Sequence, residues 1–279
     1  MTSNGLCIDL EYWYSPELIS RHYFQGEDDQ MPDSVTPILD LLDRYDTKGT
    51  FFVLGMIAEK YPQMVKAISD KGHEIASHGY SHRKLHDLGR KRFEDEIDKC
   101  VGLLESITGE KPIGFRAPTF SLDNSTRWSL EILKQYGFKY DTSISPCKTT
   151  LYGVRGAPLH PYKPSMDDVT KEDPDGAIIE FPVTVLRLGI KIPVTGGFYL
   201  RAVPLWFSKF AIREVNRTRP AIVYIHPWET YSKTPRLKGL PWFSKFVTYY
   251  GINSAFRKFE GLLKDIEFKP VREILQIVA

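Results

Sequence analysis

A parallel α/β sheet or barrel is the fold class this sequence predicts, and three observations predict it. Short, continuous apolar runs recur along the first half of the chain, as strands buried on both faces require. Stretches of helical period alternate with them four times. Residues that carry chemistry stand just after the apolar runs, where a barrel of parallel strands gathers its site.

The elements follow in order. Leu6 to Glu11 is a strand, and because alternate side chains share a face, Asp9 and Glu11 point to one side. Ser34 to Tyr45 is a helix, with Asp33 or Ser34 as N-cap and Ile38, Leu41, Leu42 and Tyr45 on one face. Gly49 to Leu54 is a buried strand. Met56 to Tyr61 and Pro62 to Lys71 are short helices, the second with proline in its first turn. His73 to Ala76 is a strand end. Arg92 to Thr108 is the clearest helix, with Phe93, Ile97, Cys100, Val101 and Leu104 as its buried stripe and Gly109 as its stop. Ile113 to Pro118 is a strand, Ser125 to Tyr136 a helix closed by Gly137, and Phe138 to Asp141 a strand. Prolines then punctuate a long covering loop near 143–175. Ala177 to Val183 is a strand, Pro204 to Arg217 an amphipathic helix, Ala221 to Ile225 a buried strand and Asn253 to Asp265 a helix. The whole, 1–279, reads as one domain with a C-terminal helical extension near 230–279.

Composition bounds the partners. The chain has 279 residues, 42% of them hydrophobic and 26% charged, as in an ordinary globular domain. A formal net charge of +2 implies no nucleic-acid partner. Three dispersed cysteines form neither a zinc knuckle nor a disulfide framework, and their usage fits a reducing compartment. Met1 to Asn4 leads straight into the first strand without a basic or long apolar leader, and no run reaches the length of a membrane span. The expected location is cytoplasmic.

The chemistry starts at Ser77-His78-Gly79-Tyr80-Ser81-His82. Two histidines four apart can turn both imidazoles to one point, as a helical turn does. Asp9, Glu11, Arg116, Asp141 and His226 stand at other strand ends. Singly each has a dull explanation: a helix cap, a surface ion pair or a satisfied core histidine. Together, a carboxylate and two histidines are three metal ligands with a fourth position open, the usual catalytic zinc arrangement. A second carboxylate can take a proton from water, another histidine can protonate a leaving group, and an arginine can hold the base ionised. That set describes a hydrolase of an amide or ester.

The order Asp9-x-Glu11, His78-Gly-Tyr-Ser-His82, Arg116-Ala-Pro118 and Ile225-His226 resembles the polysaccharide deacetylase family, the NodB-homology enzymes of carbohydrate esterase family 4. Pro193 to Tyr199, His226-Pro227-Trp228-Glu229 and the closing Phe256 to Leu275 segment resemble a subgroup linked to exopolysaccharide biosynthesis. The resemblance implies a distorted (β/α) barrel of NodB-like type with a divalent metal, zinc first, with cobalt, nickel and manganese as alternatives. By position it implies Asp9 as catalytic base, Glu11, His78 and His82 as metal ligands, Arg116 as the orienter of Asp9, and His226 as general acid. Asp141 would tune a histidine. The backbone near Thr119 would serve an oxyanion hole, and Gly196, Gly197 and Trp228 would border the substrate. The substrate implied is an N-acetylated sugar in a glycan or glycan precursor; the expected cytoplasmic location adds a lipid-linked or nucleotide-linked sugar as the alternatives, with peripheral membrane contact left open.

Two departures stand out. The family has two adjacent aspartates where this chain has Asp9-Leu10-Glu11, and its third motif ends in tyrosine where this chain has Thr119. Two other functions therefore stay open: metal-independent hydrolysis of a cyclic amide or imide on the same fold, and non-catalytic carbohydrate binding or assembly. The Gly196-Gly197 pair reads first as a tight turn walling the cleft. The pentapeptide Trp-Phe-Ser-Lys-Phe occurs at 206–210 and again at 242–246. Aromatics with lysine can stack on sugars or sit at a membrane surface, but the expectation is that these are helix faces packed on the barrel.

Overall fold

In the computed structural model, which describes residues 2–23 and 29–277, strands run along Asn4–Leu10 (β1), Thr50–Val53 (β2), Glu74–Ser77 (β3), Gly114–Phe115 (β4) and Tyr140–Asp141 (β5). They continue with Ile179–Glu180 (β6), Val185–Leu188 (β7), Ile190–Pro193 (β8), Ile222–Ile225 (β9) and Phe268–Lys269 (β10). Helices cover Glu17–Ser20 (α1), Met31–Arg44 (α2), Gly55–Lys60 (α3), Pro62–Asp70 (α4), Leu85–Thr108 (α5) and Ser129–Gln135 (α6). The remainder are Gly197–Ala202 (α7), Leu205–Val215 (α8), Pro227–Thr230 (α9), Trp242–Tyr249 (α10), Ile252–Leu263 (α11) and Val271–Ile274 (α12).

Among the described residues, eight strands form one parallel sheet in the order β10-β1-β2-β3-β4-β5-β6, with β9 also on β1. β7 and β8 make a separate antiparallel hairpin. The sheet curls into a distorted (β/α) barrel. Parallel pairing fixes which side chains share a face, because partners in register point the same way. Asp9 is level with Phe52, Phe52 with Ala76, and Cys7 with Tyr224. These residues fill the barrel interior together with Tyr140 and Phe181. Their neighbours Ile8, Phe51 and Val53 point outward and pack under α2, α3, α4 and α11.

The expected strands are present; β2, β4, β5, β6 and β9 are shorter than their apolar runs, whereas β1 starts two residues earlier, at Asn4, and ends at Leu10, just before Glu11. α2 begins earlier than Ser34, after Gln30, because Pro32 suits a first turn and Met31 is buried. α5 begins at Leu85, since Leu85 and Leu88 are buried too, and Gly89 breaks its course with φ 68°. α6 is trimmed to Ser129–Gln135. Between β5 and β6 the chain holds no helix or strand, only isolated bridges such as Tyr162 to Glu180. The hairpin, α7 and α10 lack a clear period in the sequence because each is short. No described helix is long and apolar enough to cross a membrane.

The floor of the barrel is closed by a polar knot. Glu74 accepts hydrogen bonds from Thr50 Oγ1 (2.5 Å) and from the Arg272 amide (3.2 Å) on one oxygen. Its other oxygen accepts from Tyr140 Oη at 3.0 Å. Thr50 Oγ1 in turn accepts from the amide of Val271, so α12 is tied beneath the sheet. Tyr140→Phe leaves a buried carboxyl oxygen without its donor. Denaturant unfolding should show a loss of about 1–3 kcal/mol, with the circular dichroism of the native state unchanged.

Candidate active site

The parallel register brings the strand ends to one level. Ile8 lies opposite Phe51 and Ile225, and Ser77 opposite Val53 and Phe115. The residues that follow are Asp9 and Glu11, His78, Arg116 and His226, and all face one cavity of about 420 Å³. His82 joins them from the loop after β3. That loop is not a helical turn: it bends through Gly79 (φ 75°) and His82 (φ 60°), which sets the two imidazoles 5.3 Å apart.

Glu11, His78 and His82 each offer one ligand atom, all within 4.8 Å of one another. His78 Nδ1 donates to the carbonyl of Arg116 at 2.7 Å, which leaves the Nε2 lone pair directed at the site. Burial pulls the His78 pKa down to about 4, so its imidazole is neutral as a ligand must be. Glu11 Oε2 lies 2.5 Å from His82 Nε2, and Trp228 Nε1 donates to Glu11 Oε1 at 3.1 Å. Burial acts to raise the Glu11 pKa, but His226, His82 and His78 outweigh it and hold the carboxyl near 2. One anionic carboxylate and two imidazoles, the second nitrogen of His78 already anchored, fit a divalent metal of the zinc type.

Asp9 is the other carboxylate. Arg116 Nη1 donates to its Oδ1 at 2.6 Å, both side chains being buried. Arg116 itself is held by the carbonyl and hydroxyl of Thr142 and lies over the Phe52 ring, 4.3 Å from its centroid. His226 Nε2 stands 3.8 Å from Asp9 Oδ2 and 3.6 Å from Glu11 Oε1. Its Nδ1 bonds Glu229 Oε2 at 2.7 Å, and Arg201 Nε donates to Glu229 Oε1 at 2.8 Å. Burial alone would lower the His226 pKa, yet Glu11 and Glu229 raise it to about 9.

Asp141 is not in this group. It is level with Phe115, one residue short of Arg116, so the pleat turns it to the opposite face of the sheet. There it accepts from Ser143 Oγ, whose oxygen also holds the Ala117 amide, and it sits beside the buried Glu180. The partner of His226 is Glu229. His226-x-x-Glu229 on one turn was the available signal, since the glutamate reaches back to its own helix start.

Thr119, Gly197 and Trp228 line the cavity. Thr119 adopts φ 57°, a strained left-handed turn at the site. Gly196 does not line it: its backbone is extended, and an added Cβ would fall 2.0 Å from the Tyr224 ring. Close packing, not a turn, requires that glycine. The sequence reading missed the apolar walls. Tyr152 comes from the long loop, Phe198 and Tyr199 from α7, and Phe243 and Phe246 from α10. Phe198 and Tyr199 lie in the 193–199 segment and Phe243 and Phe246 in the second pentapeptide, both visible in the sequence, but nothing in their spacing shows that they meet at the cleft.

Residues 26–140 match the sequence profile of the polysaccharide deacetylase family. Residues 142–276 match that of a domain of unknown function, DUF3473. A peptidoglycan deacetylase-like protein of Gibberella zeae, FGM2, is 42% identical over 125 residues, 44% of this chain and 36% of that protein. A peptidoglycan deacetylase of Helicobacter pylori is 37% identical over 141 residues, 50% of this chain and 45% of that protein. The chain thus spans less than half the length of these curated relatives. The crystal structure of a probable polysaccharide deacetylase from Pseudomonas aeruginosa has the same fold, with a TM-score of 0.61 at 17% identity over 98% of this chain and 89% of that one.

Glu229→Gln removes a charge and a hydrogen-bond acceptor from His226. The imidazole resonances of the metal-free protein should then titrate well below the parent value of about 9. The in-register strand ends, the ordered motifs and the profile match agree: over residues 26–140 the chain is similar to the polysaccharide deacetylase family, and its fold is of the NodB-like type.

Proposed function

We propose that this chain is a metal-dependent hydrolase that removes the N-acetyl group from an amino sugar in a glycan or glycan precursor. The observation that carries the reading is one cleft in which the Glu11–His78–His82 donor set lies beside two separately buttressed groups, Asp9 on Arg116 and His226 on Glu229. The peptidoglycan deacetylases among its relatives support an N-acetylated glycan as the substrate class. The likeness of 193–199 and 226–229 to an exopolysaccharide-linked subgroup, a cytoplasmic place of action and a single domain over the whole chain belong to the same proposal.

A divalent metal held by Glu11, His78 and His82, zinc before cobalt, nickel or manganese, supplies polarisation of the acetyl carbonyl and a lowered pKa for the attacking water. The remaining steps belong to side chains. Asp9, held in place by Arg116, takes a proton as the water oxygen bonds to the carbonyl carbon. The backbone around Thr119 faces the cavity where the oxyanion develops. His226, charged at neutral pH, passes its proton to the sugar nitrogen as the carbon–nitrogen bond breaks. The products are acetate and a free amine. Glu229 and Arg201 keep the His226 ring oriented, and the Trp228 indole fixes one Glu11 oxygen.

The test is metal content by mass spectrometry beside acetate release from N-acetylated oligosaccharides. His78→Ala should lose metal and turnover together. Asp9→Asn should keep the metal and lose about 10²- to 10⁴-fold in turnover. Metal release by Asp9→Asn would mean that Asp9 and Glu11 exchange roles. Full turnover after exhaustive chelation would replace this reading with the metal-independent hydrolase. Sugar binding without turnover on any N-acetylated glycan would replace it with a binding protein.

A further inference from the structure

The two Trp-Phe-Ser-Lys-Phe segments bury few of their rings: Phe207 packs against the core, while both tryptophans and the other phenylalanines are exposed. In α8 and α10 alike, the serine is buried and the tryptophan and last phenylalanine face outward. Ser208 is fully buried, while Trp206 is 69% and Phe210 44% exposed. Ser244 is buried, while Trp242 is 78% and Phe246 45% exposed. Phe243 and Tyr250 extend the α10 surface, and Lys245 is exposed between them. In α10, which buries Ser244, Thr248 and Tyr249, this departs from the usual amphipathic order in which the apolar face meets the core, whereas α8 also turns Ala211, Ile212 and Val215 inward. Aromatic surface turned to the outside in a cluster marks an interaction face.

Charge says what kind of face it is. From Tyr231 to Phe259 the chain contains no aspartate or glutamate, yet it holds six lysines and arginines, among them Lys233, Arg236, Lys238 and Lys245. These four are exposed. Phe181 to Arg213, which includes α8 up to its last two residues, also lacks carboxylates; Glu214 follows in the last turn. A glycan-stacking surface would set acids and amides beside its rings to hold hydroxyl groups. The deacetylated product is a cationic amine, which this basic rim repels. Outward Trp and Phe on a short helix with basic residues around it suit the headgroup boundary of an anionic bilayer.

Position adds a second argument. Phe243 and Phe246 belong to this face and also line the cleft. Phe246 packs 5.0 Å from Tyr250 and 5.7 Å from Phe198, itself a cleft residue. The aromatic face therefore runs unbroken into the mouth of the cavity. We propose that α10 and the basic segment before it dock on an anionic lipid surface, so that the cleft opens toward glycans attached to that surface. The docking itself stands on α10 and the basic segment before it; its consequence for substrate class rests on the deacetylase reading.

The test uses the whole chain with vesicles of phosphatidylcholine, with and without phosphatidylglycerol. Expected is co-sedimentation with the anionic vesicles, a blue shift of tryptophan emission, and weakening as salt is raised. Trp242→Ser combined with Lys245→Glu should lower vesicle affinity at least tenfold. It should leave metal content and acetate release from a short soluble oligosaccharide unchanged. Lys233→Glu with Lys238→Glu, outside the helix, should weaken binding in the same direction. No preference for anionic vesicles would overturn the proposal, as would variants that bind like the parent. A Trp242→Ser effect confined to self-association or to oligosaccharide binding would overturn it too. Vesicle binding is read without turnover, so failed deacetylation and failed docking are told apart.

Discussion

The buried guanidinium of Arg116 is the contact on which the site depends. Its side chain pairs with Asp9 across the barrel, its Nε and Nη2 hold Thr142 on the neighbouring strand end, and its own carbonyl fixes the His78 ring. One residue thus connects the carboxylate proposed as base, a donor of the proposed metal set and three strand ends. A charge so deep is tolerable only because its partners are complete, and removing one side of such a pair typically costs about 3–5 kcal/mol. The face of Phe52 beneath the guanidinium adds an attraction that needs no further hydrogen bond.

Around that contact the cleft is arranged as alternating charge. Arg116 faces Asp9, Asp9 faces His226, His226 faces Glu229, and Glu229 faces Arg201. Arg201 ends the series on the backbone carbonyls of Val247 and Tyr250. His226 and Glu229 are held charged by their neighbours, although burial of both opposes it. The series also ties α10 to the chemistry, because the carbonyls that Arg201 grips lie in and just after that helix. A surface element and the proton donor proposed for the reaction are therefore parts of one mechanical unit.

The cleft is polar at its base and aromatic at its walls. Its base consists of residues that end strands; its walls come from the long loop, α7 and α10. Strand ends are fixed by sheet pairing, so the reactive groups are placed by the most stable part of the fold. The walls rest on short helices and irregular chain, where changes of side chain disturb the sheet least.

Much of the base was legible in the sequence, and the reason is periodicity. Alternation in a strand puts Asp9 and Glu11 on one face, and apolar runs followed by His78, Arg116 and His226 mark ends that a parallel sheet brings level. Asp141 failed by the same logic: it too follows an apolar run, but which face it meets depends on register against Phe115, and register is a property of the sheet. Glu229 was visible only as a spacing, since its value lies in what His226 and Arg201 do across space. The pentapeptides show the limit most clearly. Local pattern reads them as core, because aromatics prefer burial, yet each helix buries its serine and leaves its tryptophan and last phenylalanine outside. The amino-acid order determined the elements, the likeness to a family and the polar side chains that stand at the strand ends. Tertiary packing alone decided which face each helix and strand turned inward, because that choice is made by neighbours distant in the chain.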